Sequence, residues 1–490
     1  MEKTVGIIGA GIAGMATGIR LANKGYEVTI FDGNDYPGGK LTELRLGKYR
    51  FDAGPSLFTM PDYVDELFRI SKKDPKNHFS YKQLPNTANY FFDDGISLQA
   101  SANPQLLAAE LEAKLGEPTA NTLAALKHSS FLYDHLADLF IHRSLHDVKT
   151  FFNRQAFKAY KVLHKLDLFR TMHAANRQRF AKDKTTQLFN RYATYNGSSP
   201  YLTPATMNII PHLEFGVGAF IPEKGMHQIT ESLFKLAKES GAEFRFNSPV
   251  EKINLKSGQV TGLRVNDQDH PFDNIVSNMD MVATYKRLLP GTKAPARLLN
   301  QPKSSSALIF YWGIKKNFKE LDLHNIFFSG DYQKEFDHIF SKADIYADPT
   351  VYVNITSKEV SGDAPAGCEN WFVMINVPHN SGQDWELLKV RAKEHILTKL
   401  SGILKTDIAE LIEEEAVLDP ISIESKTSSS QGALYGNSSN NRFAAFLRHP
   451  NKSRRVKNLY FCGGSVHPGG GIPLCLSSAK IVASHFPDLH

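Results

Sequence analysis

Gly9-Ala10-Gly11-Ile12-Ala13-Gly14 stands between a short apolar stretch, Val5-Gly6-Ile7-Ile8, and a helix-forming stretch through Arg20-Leu21-Ala22 that Gly25 stops. Glu27-Val28-Thr29-Ile30-Phe31 reads as the next strand, so the order is strand, helix, strand, and the sheet is parallel. In such a GxGxxG turn Gly9 permits the tight bend. Gly11 lets the backbone approach a pyrophosphate, whose charge the helix N-terminus stabilises. Gly14 lets the helix lie close on the strand, and Ile12 and Ala13 belong to the same binding turn. Asp32 ends the second strand, where an acidic side chain can accept both ribose hydroxyls. The spacing predicts a Rossmann-type dinucleotide site.

Neighbouring residues select FAD over NAD. Pro37-Gly38-Gly39-Lys40 follows Asp32 at once, and Phe51-Asp52-Ala53-Gly54-Pro55-Ser56 comes soon after. Small residues followed by a cation suit a dinucleotide folded against a second loop. The other half of the site is expected from the C-terminal run Phe461-Cys462-Gly463-Gly464-Ser465-Val466-His467-Pro468-Gly469-Gly470-Gly471-Ile472-Pro473-Leu474. Pro473 suits the first turn of a helix, and that helix would aim its positive end at the flavin ring. No flavin-attachment signature is present, so the FAD is expected to be noncovalent. His467 lies beside the motif; it could assist proton removal or serve as a structural hydrogen-bond partner.

The chain resembles the phytoene-desaturase-type carotenoid desaturases almost end to end. The resemblance rests on Arg191-Tyr192-Ala193-Thr194-Tyr195-Asn196-Gly197-Ser198-Ser199-Pro200, Pro222-Glu223-Lys224-Gly225-Met226 and Val276-Ser277-Asn278-Met279-Asp280. It also rests on Leu323-His324-Asn325-Ile326-Phe327-Phe328 and on His467 through Pro473. It implies an α/β fold: a Rossmann-type FAD-binding domain of the amine-oxidase and GDP-dissociation-inhibitor class. An inserted α+β substrate domain and a helical membrane-contacting region would complete it. It further implies Val250 as a backbone contact to the adenine. The family's chemistry is FAD-dependent desaturation of a carotenoid. The overall wording is most similar to the branch that introduces a 3,4 double bond into 1-hydroxylated acyclic ends; a phytoene desaturase making several bonds is the alternative. Two departures stand out. Lys40 replaces the usual arginine, keeping the charge without the planar fork. Gly464 replaces an acidic residue, so contact near the ribityl chain must come from backbone or Ser465.

At 490 residues the chain is too long for one core. A helix through Ile229, Leu233 and Leu236 follows Gly225, with strands at Glu243–Phe246 and Val260–Val265. A last strand, Leu459–Phe461, precedes a helix to about Phe486. The expected FAD-binding segments are residues 1–75, 215–290 and 425–490, and the substrate-domain segments 76–104, 191–214 and 291–424. Residues 105–190 form the helical region. Three cysteines without a CxxC pair fit a reducing cytosol and predict neither disulfides nor a metal site. No stretch is long and apolar enough to span a bilayer. The net charge of +6 comes without a nucleic-acid motif, so nucleic acid is not an expected partner.

From Arg143 to Arg191 there are twelve Lys and Arg residues against Asp147, Asp167 and Asp183. Phe157, Tyr160 and Leu163 recur among them at helical spacing, with Arg154, Lys158, Lys161 and Lys165 between. This predicts either a helix lying in a membrane interface or an ordinary cap helix. With a bilayer-stored substrate, peripheral attachment to the inner face of the cell membrane is expected. No second nucleotide motif is present, so oxygen or a membrane quinone is the expected electron acceptor. A lipid carrier of the same fold without catalysis is the alternative of another class; Asp32 and the C-terminal glycines count against it.

Overall fold

The predicted strand, helix and strand form as Thr4–Ile8, Ile12–Ala22 and Glu27–Phe31 in a computed structural model that describes residues 3–441 and 448–489. They belong to a five-stranded parallel sheet. Its order is Leu459–Phe461, Asn274–Ser277, Thr4–Ile8, Glu27–Phe31 and Glu243–Arg245. Three distant parts of the chain thus supply one sheet. Alternation decides its two faces. Ile7 and Ile30 meet the helices Ile12–Ala22, His227–Glu239 and Ile472–Ala483 in one core. Ile8 and Phe31 point the other way, onto Leu263 and Ile253 of an antiparallel three-stranded sheet.

The second large sheet has seven strands, in the order Ile412–Leu418, Ser306–Ile314, Glu369–Val377, Val351–Ile355, His324–Phe327, Asn86–Phe91 and Ser97–Ser101. All pairs are antiparallel except His324–Phe327 with Asn86–Phe91. Ser306–Ile314 is buried along its whole length, which explains its nearly unbroken apolar run. Phe310, Trp312, Trp371, Val373 and Val353 pack beneath Leu388, Ala392, Ile396 and Leu400 of the helix Trp385–Leu404. The alternate residues face the first domain.

Residues 105–190 are mainly helical, with helices Pro104–Leu115, Thr119–Phe140, Arg154–Lys161, Met172–Arg179 and Asp183–Asn190. Asn153 starts Arg154–Lys161 by accepting from the N–H groups of Gln155 and Ala156, at 2.8 and 3.0 Å. Helical spacing predicts continuation through Leu163, but the helix ends at Lys161. Leu163–Lys165 forms a 3₁₀ turn that lowers Leu166 onto Leu132 and Leu136. Burial of Leu166 overrides local propensity here. The last helix likewise ends at Ala483, and Phe486 packs beyond it on Tyr26 and Tyr460.

Candidate active site

The glycine turn has the geometry its residues require. Gly9 has φ +97°, and its N–H donates to the Phe31 carbonyl at 2.7 Å. A Cβ on Gly14 would lie 2.1 Å from the Gly9 carbonyl oxygen, so no larger residue fits. Asp32 accepts from the Ala10 N–H at 2.7 Å and the Asn34 N–H at 2.9 Å, one on each carboxylate oxygen. Both bonds orient the carboxylate toward the groove and leave further lone pairs for ribose hydroxyls. Burial pushes its pKa up while those N–H bonds pull it down.

The helix Ile12–Ala22 begins at Gly11 without a side-chain cap, and Ile472–Ala483 begins at Gly471 in the same way. Two uncapped helix N-termini therefore present free N–H groups to one groove. Gly471 has φ +101°, and a Cβ there would meet nothing within 4 Å, so the backbone faces open space. Gly54, with φ +129°, presses against Lys40, whose carbonyl oxygen would be 1.8 Å from an added Cβ. Gly38 donates to the Ala10 carbonyl at 2.9 Å, and a bridge to Gly11 holds the second loop beside the first. These features fit a bound dinucleotide: glycine cradles, free N–H groups and an acidic ribose acceptor line a single groove.

One cavity of about 1890 Å³ is lined by Gly9, Gly11, Ile12, Ala13, Asp32, Gly38, Gly39, Lys40, Gly54, Pro55, Ser56, Val250, Gly463, Gly464, Ser465, His467, Gly471, Ile472 and Pro473. Among the predicted contacts, Gly14 alone is not in its wall; it serves helix packing. Lys40 Nζ donates to the Leu434 carbonyl at 2.9 Å, and burial pushes the pKa of its ammonium down. Ser465 Oγ accepts from the Met281 N–H at 2.9 Å and keeps its own proton to donate. Val250 opens the strand Val250–Lys256 and pairs with Val265.

His467 is buried and lines the cavity. Its Nε2 donates to the Arg143 carbonyl at 2.7 Å, and burial pushes its pKa down to about 4. The ring is therefore neutral, with Nδ1 bare of a proton. The bond also fastens the C-terminal loop to the helical region.

Several residues of the site have bracing roles that the sequence does not assign to them, although Asn278 and Arg191 lie within runs that carry the resemblance. Asn278 braces the glycine turn through Nδ2 to the Gly9 carbonyl, at 3.3 Å. Arg448 donates to the carbonyls of Tyr435 at 2.7 Å and Gly464 at 3.3 Å. Burial pushes its pKa down to about 10. Arg191 stacks 4.5 Å from the Tyr192 ring centre and donates to the hydroxyls of Tyr90 and Tyr195, at 2.7 and 3.2 Å. Glu214 accepts from Tyr192 at 2.6 Å, and from Tyr195.

Beyond the dinucleotide groove the cavity walls are mostly apolar. Ile309, Tyr311, Phe372, Met374, Tyr352, Ile326 and His324 come from the seven-stranded sheet. Leu136, Phe140, Leu145, Met207 and Ile210 come from the helical side. Ordinary ligand pockets hold ~300–1,000 Å³. The larger volume here suits a dinucleotide together with a long apolar molecule whose edge reaches the redox ring.

The family of flavin-containing amine oxidoreductases matches residues 12–485. The 1-hydroxycarotenoid 3,4-desaturase of Flavobacterium sp. (strain P99-3) is 51% identical over 489 residues, covering 100% of this chain and 99% of that protein. The phytoene desaturase of Fusarium fujikuroi is 30% identical over 509 residues, covering 99% of this chain and 89% of its own. Among solved structures, an oxidoreductase from Methanosarcina mazei aligns with TM-score 0.63 at 15% identity, over 98% of this chain and 100% of its own. The cyclohexylamine oxidase of Brevibacterium oxydans aligns with TM-score 0.62 at 15% identity, over 99% and 98%. At that identity the two structures speak for the fold alone.

Proposed function

This chain belongs to the family of flavin-containing amine oxidoreductases, and we propose that it is an FAD-dependent carotenoid desaturase acting at the 3,4 position of a 1-hydroxylated acyclic end. The observation that carries this reading is the continuous cavity, dinucleotide cradle at one side and apolar sheet face at the other. The 51% identity across the full length supports the substrate class.

Desaturation removes a hydride from one carbon and a proton from its neighbour. The flavin, when bound, supplies the hydride acceptor. The protein holds a long polyene against it and excludes water. Ile309, Phe372, Met374 and Ile326 on one wall and Leu136, Phe140 and Ile210 on the other provide an apolar slot for this. His467 Nδ1 is the proposed proton acceptor nearest the flavin motif, and the proposed FAD contacts are those of the groove. Oxygen or a membrane quinone is the proposed final electron acceptor. The functional test is incubation of purified holoprotein in liposomes with several acyclic carotenoids, read by product spectra. Lengthening of the 1-hydroxylated chromophore by one conjugated bond is expected. Multi-step conversion of phytoene instead would move the enzyme to the phytoene desaturase branch.

Membrane attachment belongs to the same proposal. In helix Arg154–Lys161 the core face is made by Ala156 and Ala159, packed with Leu139, while Phe157 and Tyr160 point outward. A cap helix would place those faces the other way round. Phe152 and Phe169 are 74% and 78% exposed beside them, and Lys158, Lys161 and Lys165 are exposed as well. No helix among the described residues is long and apolar enough to cross a membrane. The proposed contact is at the cytoplasmic surface, with the cavity filled from the bilayer past Leu136 and Phe140, and the outward aromatics and lysines support it. Each basic residue near an anionic surface contributes about 1 kcal/mol. Replacing Lys158, Lys161 and Lys165 by glutamine is expected to weaken anionic-liposome binding by up to about 3 kcal/mol at low salt, and less at high salt. Unchanged co-sedimentation in both conditions would overturn membrane attachment through this helix.

A further inference from the structure

On the sheet face of the cavity, two polar groups are buried with no hydrogen-bond partner among the described residues: the Tyr311 hydroxyl and His324 Nε2. An unpaired buried donor costs about 1–3 kcal/mol. A slot meant only for hydrocarbon would avoid that cost with an apolar side chain.

The neighbours of His324 determine where its proton sits. The Asn354 amide nitrogen donates to the Leu323 carbonyl at 3.0 Å and reaches His324 Nδ1 at 3.2 Å. The Tyr352 hydroxyl lies 2.7 Å from the same nitrogen. Nδ1 accepts from both, so the single proton of a neutral ring is on Nε2. Burial, reinforced by the Arg191 charge, pushes the pKa down to about 3, so the ring is neutral near pH 7. Tyr352 also meets Ser56 Oγ at 2.8 Å. His324 is thus two hydrogen bonds from the Gly54–Ser56 loop. In a chain oxidised between C3 and C4, a hydroxyl on C1 is two carbons from the reacting bond. A group that grips this hydroxyl has to stand close to the flavin loop, as His324 does.

We propose that His324 Nε2–H donates to the terminal hydroxyl of the substrate, selecting hydroxylated ends and setting the register that lays the 3,4 bond against the flavin. This rests on the carotenoid-desaturase reading above. His324 is a specificity and positioning residue in this assignment and takes no part in bond breaking. Tyr311 is in the same cross-strand row, through Phe372 and Asn354, three strands and so about 14 Å away.

The test is competition between a 1-hydroxylated acyclic carotenoid and its unhydroxylated counterpart in the same liposomes, using flavin-loaded enzyme. In His324→Leu the kcat/KM preference for the hydroxylated chain is expected to fall roughly tenfold, the loss of one hydrogen bond. His324→Gln, which keeps an N–H donor, should restore most of it. Tyr352→Phe, which removes one donor to Nδ1, should lower the preference less and in the same direction; it serves if His324→Leu does not fold. Equal losses on both substrates, no rescue by glutamine, or a preference lost in Tyr311→Phe instead would overturn the proposal. So would a wild-type enzyme that prefers the unhydroxylated chain, although desaturation itself would stand. Wild-type enzyme that converts neither chain would remove the desaturase reading and this one with it.

Discussion

Gly11→Val is expected to yield a folded protein that purifies without its yellow colour. A Cβ at this position comes within 2.7 Å of Asn278 Nδ2, the far end of a side chain that can swing aside. The fold therefore survives, since Gly11 carries neither a positive φ nor a backbone clash. Gly11 and Asn278 both line the groove, however, so the valine and the displaced amide would take up room that a pyrophosphate needs at the first turn of Ile12–Ala22. Each charge-assisted hydrogen bond lost there costs about 1.5–3 kcal/mol. Two of them correspond to a fall in flavin affinity of roughly a hundredfold or more. Displacing Asn278 adds to this by loosening the Gly9 carbonyl. The measurement is visible absorbance per protein alongside far-ultraviolet circular dichroism. A folded variant with full flavin content would show that this turn does not hold the cofactor.

Arg50→Met is expected to be the most destabilising single change at a site away from the flavin. Arg50 donates to Glu43 at 2.8 Å, Asp52 at 2.8 Å and Asp363 at 3.2 Å. Asp52 and Asp363 have almost no exposed side-chain surface. Asp52 also accepts from the N–H groups of Met226 and His227, at 2.6 and 3.0 Å, and so caps the helix His227–Glu239. Removing the cation leaves two buried carboxylates facing each other. Breaking such a pair costs about 3–5 kcal/mol. Burial already holds the Asp363 carboxyl above its ordinary value, and loss of the guanidinium raises it further, so the variant is hurt more as pH rises and recovers towards pH 5. Flavin release and thermal inactivation midpoints, compared at both ends of that range, check the size and the sign. Arg264, exposed and paired with the still more exposed Asp267, makes the contrast. Its removal should leave stability nearly unchanged, because an exposed pair is screened by solvent. A comparable loss at both positions would contradict burial as the cause.

The groove illustrates how far short-range pattern reaches. Gly9, Gly14, Gly38, Gly54 and Gly471 were expected in a binding surface from their neighbours alone, and each has a backbone or close-approach reason to be glycine. Asp32 occupies its predicted place because a strand of fixed length carries it there. Asn278, Arg448 and Glu214 escaped notice as binding or bracing residues, although Asn278 lies within a run used for the resemblance. Lone polar residues have no period and no motif spacing. Only their partners mark them out. The amphipathic helix near residue 157 was legible as a pattern. Which of its faces is buried was not, since Ala156 and Ala159 announce a core face only when Leu139 stands opposite them.

The sequence by itself determined the dinucleotide-binding unit and the FAD-type glycine loops at both ends of the chain, while the family came from resemblance of whole runs. The unit and the loops rest on steric limits of the backbone and on hydrophobic alternation, which act between residues close in the chain. The tertiary structure alone decided the order in which strands from three distant segments enter the five-stranded sheet and that one cavity joins the groove to the seven-stranded sheet. It also decided the burial of Arg50 with Asp363 and the neutral state of His324. The physical reason is that burial and hydrogen-bond partnership are properties of packed neighbours. Arg50 and Asp363 are 313 residues apart in the chain, and Ser56 and Tyr352 are 296 apart. No local rule encodes such distances; sheet register and the packing of the two domains bring these side chains together.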